Sequence, residues 1–226
     1  MTDKFFDNVL DAVSCLADKK CEAVIFDMDG LIFDTEHTFM EQLAVTMKEH
    51  GYDLSRELYV ESLGLGGDKL RKLMMDEYGE DYPFDICSRE ARNRLTVIAK
   101  TVGLTVKAYI PQVLELLKER GITCAVASST KSSYVKKYLD DADLSKYFRC
   151  IIGGESVKRS KPDPDIFLLA CKNLGVEPNK ALVLEDSENG VRAAYAAGIP
   201  VICVPDLKYP CQEVIDMSVA IVSLRH

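Results

Sequence analysis

Ala23-Val24-Ile25-Phe26-Asp27-Met28-Asp29-Gly30 is the stretch whose reading decides the fold. A short apolar run with β-branched residues ends in two carboxylates and a glycine. It reads as a buried strand whose carboxyl end opens on polar chemistry, the edge where open α/β sheets bind ligands. Side chains at i and i+2 share a face of a strand, so Asp27 and Asp29 are expected to leave the sheet on one side. Two ionised carboxylates about 4 Å apart repel by roughly 1 kcal/mol in water and roughly 4 kcal/mol at a protein-surface dielectric. A bound hard cation such as Mg²⁺ would offset that repulsion. The alternative is a solvated, Asp-rich turn.

Downstream of Val106 the pattern alternates between helix and strand. Helices are predicted over 111–120, around Tyr134, Val135 and Tyr138, and over 165–174, 191–197 and 207–217. Strands are predicted over 122–127, 150–152, 181–184, 201–204 and 220–222. Such alternation builds a parallel sheet with helices on both faces, a doubly wound α/β core. The segment between reads only as helices, over 35–51, 56–63, a third capped by Asp68 and ending near Gly79, and 83–100. It is expected as a four-helix insert at 34–106, leaving 1–33 and 107–226 for the core. Phe5, Phe6, Val9, Leu10, Val13 and Leu16 suggest that an amphipathic helix precedes the first strand.

The 226 residues suffice for a real hydrophobic core, and 47% hydrophobic with 28% charged residues is ordinary for a soluble chain. A net charge of -8 argues against nucleic acid and anionic membranes, which want a basic footprint. No stretch is apolar for the ~20 residues a membrane helix needs, and the N-terminus lacks a basic signal-peptide start. A cytoplasmic protein is expected. The eight cysteines include no Cys-x-x-Cys pair and the histidines do not cluster, so structural zinc is not expected. His50 and His226 read as surface residues.

Four strand or loop ends carry complementary polar groups: Asp27 with Asp29, Ser128 with Ser129, Lys161, and Glu185 with Asp186. In a parallel sheet the strand carboxyl ends share one edge, so these groups can converge. Carboxylates from two strands suit a hard cation, while hydroxyls, backbone N–H groups and a lysine suit phosphoryl oxygens. An Asp left to attack and another to move a proton would complete a phosphoryl-transfer site. Taken singly, Ser128-Ser129 could be a helix cap, Lys161 an exposed loop residue and Glu185-Asp186 a cap for the next helix.

Asp27-Met28-Asp29-Gly30, Ala127-Ser128-Ser129, Lys161-Pro162-Asp163-Pro164-Asp165 and Leu184-Glu185-Asp186-Ser187 with Gly190-Val191 resemble, in order, the four motifs of the haloacid dehalogenase superfamily. The likeness runs from about Cys21 to the end, in the branch of β-phosphoglucomutase and small sugar-phosphate phosphatases. It implies a helical cap, Asp27 as a nucleophile that becomes an aspartyl-phosphate, and Asp29 as general acid/base. It also implies Mg²⁺ held by Asp27, the Asp29 backbone carbonyl and Asp186, with Glu185 ligating it or orienting a bound water. Ser128 and Lys161 would hold the transferring phosphoryl group. An Asp at position 29 distinguishes phosphoryl transfer from the dehalogenases and phosphonatases of the superfamily.

The departures concern substrate. Where the mutase has a histidine this chain has Phe39, with His37 two positions earlier, and where its cap loop has an arginine this chain reads Gly66-Gly67-Asp68. Losing that arginine weakens a mutase reading, with Lys69 or Arg92 as candidate substitutes. Substrate contacts are therefore expected from Ser129, Gly64, Lys69 and Arg92, with hinges at 31–34 and 105–109. The implied function is Mg²⁺-dependent hydrolysis of a small phosphorylated metabolite, a sugar or polyol phosphate, by a monomer. One rival is a phosphosugar mutase using the same aspartyl-phosphate. The other is a receiver-like signalling module, which places its acid pair and phospho-accepting Asp on different strands and lacks such an insert.

Overall fold

The computed structural model describes residues 4–17, 20–63, 65 and 67–223. In chain order the elements are β1 (Phe5–Phe6), α1 (Val9–Leu16), β2 (Ala23–Phe26), α2 (Thr35–Glu49), α3 (Arg56–Ser62), α4 (Gly67–Tyr78), α5 (Phe84–Thr101) and α6 (Ile110–Glu119). They continue with β3 (Thr123–Ala127), α7 (Ser132–Asp141), β4 (Phe148–Ile152), α8 (Asp165–Leu174), β5 (Ala181–Glu185), α9 (Glu188–Ala196), β6 (Val201–Cys203), α10 (Gln212–Met217) and β7 (Ala220–Val222). Two compact units result, Met1–Asp34 with Thr105–His226, and Thr35–Leu104.

The first unit is a seven-stranded sheet in the order β1-β7-β6-β5-β2-β3-β4, every pairing parallel. All four residues of β2 are buried, as a strand covered on both faces requires. Ala23 and Ile25 face a cluster with Ala125, Val183, Phe167 of α8 and Val191 of α9. Alternation sends Val24 and Phe26 to the opposite face. Helix α6 packs there on β3, and α1 packs on α6 and β7. This is the doubly wound α/β architecture that the alternation predicts.

Three local expectations are corrected. Phe5 and Phe6 belong to an edge strand, paired with Ile221 and Val222, rather than to a helix. The helix begins only at Val9, where Asn8 accepts from the Asp11 N–H. Helix α10 begins at Gln212, not at 207, because Pro210 disfavours helical geometry in the residue before it. Asp68 sits inside the first turn of α4 rather than capping it.

In the second unit α5 packs along α2 and against α4. Tyr52, Tyr78 and Tyr82 join their rings at 5.0–5.5 Å, and Phe39 meets Tyr59 at 6.4 Å. The segments expected as hinges form a short antiparallel ribbon within the first unit. The Asp34 N–H donates to the Thr105 carbonyl and the Lys107 N–H to the Ile32 carbonyl, both at 2.9 Å, and Phe33 bridges Val106. Leu31, Ile32 and Phe33 are wholly buried. All eight cysteines are free, and among the described residues no helix is long and apolar enough to cross a membrane.

Candidate active site

Register places the site. Phe26 is level with Val126 of β3 and with Leu184 of β5. Asp27, one residue on, therefore stands between Ala127 and Glu185, and its N–H donates to the Leu184 carbonyl at 3.0 Å. From β2 the strand order runs outward both ways, to β3 and β4 on one side and to β5, β6 and β7 on the other. The carboxyl edge at such a switch point is where parallel sheets take ligands.

Lys161 lies at the centre, its side chain 7% exposed against 9% for Asp27 and 1% for Glu185. Its ammonium has three protons and uses three acceptors. They are Asp27 Oδ1, Glu185 Oε1 at 2.6 Å and the Ala127 carbonyl at 3.2 Å, with the Phe167 ring centroid 4.8 Å away. Burial alone would push the ammonium down, but Asp27 and Glu185 outweigh it and hold it above its ordinary value. Burial pushes the Asp27 carboxyl up to about 8, with Glu185 and Asp29 adding to the rise and Lys161 opposing it.

Asp29 does not share that environment. Strand β2 ends at Phe26, and Asp29 forms an isolated bridge to Phe33, so strand alternation no longer governs where its side chain goes. Its Oδ2 accepts from Thr130 Oγ1 at 2.8 Å and from Ser128 Oγ at 3.2 Å. The carboxylates of Asp27 and Asp29 thus find different donors, while the charge of Asp29 is still felt at Asp27.

Asp27, Glu185 and Asp186 each offer an oxygen within 4.8 Å of the other two. Three carboxylates facing one lysine leave net negative charge in a mostly buried, all-oxygen setting, which fits a hard divalent cation. Glu185 is already engaged twice over, its Oε2 accepting from the Ser187 N–H at 2.8 Å and the Ser187 hydroxyl at 3.0 Å. Gly30 lets Asp186 in: its φ is +77°, and a Cβ there would stand 2.1 Å from Asp186 Oδ2.

The cap of α9 is Ser187, whose Oγ accepts from the Gly190 N–H at 3.0 Å, not Glu185 or Asp186. Likewise Ser128 caps no helix; Lys131 occupies the cap position of α7. A Cβ on Gly190 would lie 1.7 Å from Glu185 Oε1 and 1.8 Å from its Cδ. Alanine in a helix interior ordinarily gains about 0.5–1 kcal/mol over glycine. Here overpacking against a fixed carboxylate reverses the sign, and Gly190→Ala is expected to lose about 1–3 kcal/mol. Urea unfolding checks it; an unchanged or higher midpoint would show that Glu185 is free to move.

The structure therefore brings together Asp27, Asp29, Ser128, Lys161, Glu185 and Asp186. Ser129 is exposed and none of its side-chain atoms joins this group. Lys69 on α4 and Arg92 on α5 are exposed within the helical unit, and Gly64 lies outside the described residues. Sequence reasoning missed Thr130 and gave Ser187 no role. The signals were present: a hydroxyl two residues past a strand-end serine, and a serine opening a helix.

The profile of the family described as haloacid dehalogenase-like hydrolase matches residues 24–204. A phosphorylated carbohydrates phosphatase of Thermotoga maritima is 34% identical over 183 residues, 79% of this chain and 82% of that protein. Hexitol phosphatase B of Escherichia coli K12 is 34% identical over 190 residues, 81% of this chain and 83% of that protein. The crystal structure of CbbY from Rhodobacter sphaeroides in complex with phosphate superposes with a TM-score of 0.62 at 30% identity, covering 82% of this chain and 86% of that one.

Proposed function

We propose, because this chain belongs to the haloacid dehalogenase-like hydrolase family, that it is a Mg²⁺-dependent phosphatase of a small sugar or polyol phosphate, working through a phosphorylated Asp27. The observation that carries this reading is the buried lysine seated between Asp27 and Glu185, beside a third carboxylate, at the switch point of the sheet. A carboxylate buried next to a fixed cation at a ligand-binding edge is equipped to attack phosphorus and to survive the charge that follows.

In the first step an Asp27 oxygen bonds to phosphorus. The bond from phosphorus to the ester oxygen breaks, its electron pair stays with that oxygen, and the Asp29 carboxyl gives up its proton there. In the second step the Asp29 carboxylate takes a proton from water, whose oxygen bonds to phosphorus. The Asp27–phosphorus linkage then breaks, restoring the carboxylate and releasing inorganic phosphate. Ser128 and Lys161 hold the phosphoryl oxygens, and Lys161 compensates charge on Asp27. Asp27, Asp186 and the Asp29 backbone carbonyl would hold Mg²⁺, which when bound supplies positive charge opposite the phosphoryl oxygens. The three hydrogen bonds that Glu185 already accepts, from Lys161 and twice from Ser187, favour its orienting a bound water over direct ligation. Uncatalysed phosphate-monoester hydrolysis calls for acceleration of up to ~10²¹. Proton transfer supplies ~10²–10⁴, so positioned charge carries most of the rest. The Thr35–Leu104 unit is the proposed cap, with Gly64, Lys69 and Arg92 as proposed contacts to the rest of the substrate.

The test is phosphate release from a panel of sugar, polyol and nucleotide monophosphates, with Mg²⁺ and with EDTA. Release is expected from sugar or polyol esters and is expected to vanish in EDTA and return with added Mg²⁺. Release indifferent to EDTA would overturn the metal assignment. Formation of a product isomer faster than phosphate would identify a mutase instead.

A further inference from the structure

We propose that Thr130 is a positioning residue, holding the Asp29 carboxyl in place for proton transfer while the Ser128 hydroxyl turns to the phosphoryl group. The inference rests on the phosphatase reading and adds to it a residue that no motif contains.

Two hydroxyls point at one oxygen. Asp29 Oδ2 accepts from Thr130 Oγ1 at 2.8 Å and from Ser128 Oγ at 3.2 Å. A serine hydroxyl has a single proton. When Ser128 donates to a phosphoryl oxygen it must withdraw from Asp29, and the shorter of the two bonds, from Thr130, stays. Oδ2 is then still oriented, and with it the carboxyl that gives its proton to the ester oxygen and later takes one from water. Thr130 also steers the exchange: its backbone N–H donates to Ser128 Oγ at 3.0 Å, occupying a lone pair and leaving the serine proton to swing.

The segment carrying these groups is fixed from outside. The Gly154 N–H donates to the Thr130 carbonyl at 3.2 Å. The Glu155 carboxylate receives the Ser132 N–H at 3.0 Å and the Ser132 hydroxyl at 2.5 Å, which ties the start of α7 to the turn after β4. Those bonds hold Glu155 below the ordinary carboxylate range, the serine hydroxyl contributing most. Thr130 therefore presents its hydroxyl from a braced loop, which is what alignment of a proton donor demands, since small misplacements cost rate steeply.

Leaving-group chemistry tests the idea. Sorbitol 6-phosphate expels an alkoxide that needs a proton, whereas 4-nitrophenyl phosphate expels a stable phenolate that does not. For Thr130→Val, kcat/KM on sorbitol 6-phosphate is expected to fall about 10–100-fold, a fraction of what a general acid supplies. On 4-nitrophenyl phosphate kcat/KM, which reports only the steps through loss of the phenolate, is expected to stay within about threefold even as kcat falls through slower attack of water on phospho-Asp27. Thr130→Ser is expected to restore the alkyl ester rate. Equal losses of kcat/KM on the two esters, a rise in KM alone, or a serine variant as poor as the valine variant would overturn the proposal. Asp27→Asn, run in parallel, tests the phosphatase reading by itself: persistence of either activity there would strike that reading and not Thr130. Thermal melting of Thr130→Val separates misfolding from misplacement, and Thr130→Ser carries the comparison if valine is not tolerated.

Discussion

Asp27→Asn is expected to lower phosphate release by on the order of 10⁶-fold, the scale lost when a covalent nucleophile is removed, while the protein melts no lower than its parent in EDTA. The two halves of the result have one cause. The asparagine oxygen can still accept from Lys161, and Lys161 keeps Glu185 at 2.6 Å. What disappears is a carboxyl that burial, Glu185 and Asp29 push up to about 8 against the opposing pull of Lys161, so that it resists ionising in the folded protein without metal. At neutral pH without metal that group opposes folding more than it assists it, so replacing it by a neutral amide is expected to be neutral or stabilising. Adding Mg²⁺ should then raise the melting temperature of the parent more than that of the variant, because only the parent keeps the full carboxylate set and ligands stabilise in proportion to their binding. Differential scanning calorimetry with and without Mg²⁺, beside a phosphate assay, reads both halves. A variant that melts well below the parent in EDTA would mean that Asp27 is held for structure, and retained release would remove it as the nucleophile.

Lys161→Met carries the second large effect and inverts the first. The methionine preserves volume and removes the positive charge that Asp27 and Glu185 share, leaving two carboxylates 9% and 1% exposed with no cation between them. Breaking a buried pair from one side costs about 3–5 kcal/mol, far more than the pair contributes over an apolar replacement. Loss of a fixed charge at the reacting group is expected to cost about 10²–10³ in kcat besides. The double variant Lys161→Met with Asp27→Asn is expected to be more stable than the sum of the two predicts, by about 1–3 kcal/mol, since one stranded charge has been neutralised. Urea unfolding of the four proteins closes the cycle, and strict additivity would show that the lysine and the aspartate do not feel each other.

How far all this was legible from residues alone depends on the distance over which each signal acts. Helix α8 and strand β7 are found where their local pattern puts them, because Gly175 ends the one and a buried Ala220-Ile221-Val222 run makes the other. Strand β1 was misread because two phenylalanines have no period of their own. Their conformation is set by β7 at the far end of the chain. The convergence of Asp27, Ser128 and Glu185 could be inferred from a general property, that parallel strands share a carboxyl edge. Lys161 is different: its charge suits phosphoryl oxygens, but a loop lysine before a proline carries no local instruction to bury itself between Asp27 and Glu185. Thr130 stayed hidden because its meaning lies in a bond to Asp29, a residue whose own departure from the strand could not be foreseen from alternation.

The ribbon joining 32–34 to 105–107 has a consequence for how such a chain diversifies. Two backbone bonds fix the ends of the Thr35–Leu104 excursion side by side on the first unit. Closure entropy grows only with the logarithm of loop length, so once the ends are held the core is nearly indifferent to what is strung between them. The exit point lies within a few residues of Asp29, where the Gly30 N–H also donates to the Phe33 carbonyl at 3.0 Å. A lineage could therefore exchange, lengthen or shrink the helical insert without disturbing the sheet or the residues at its edge.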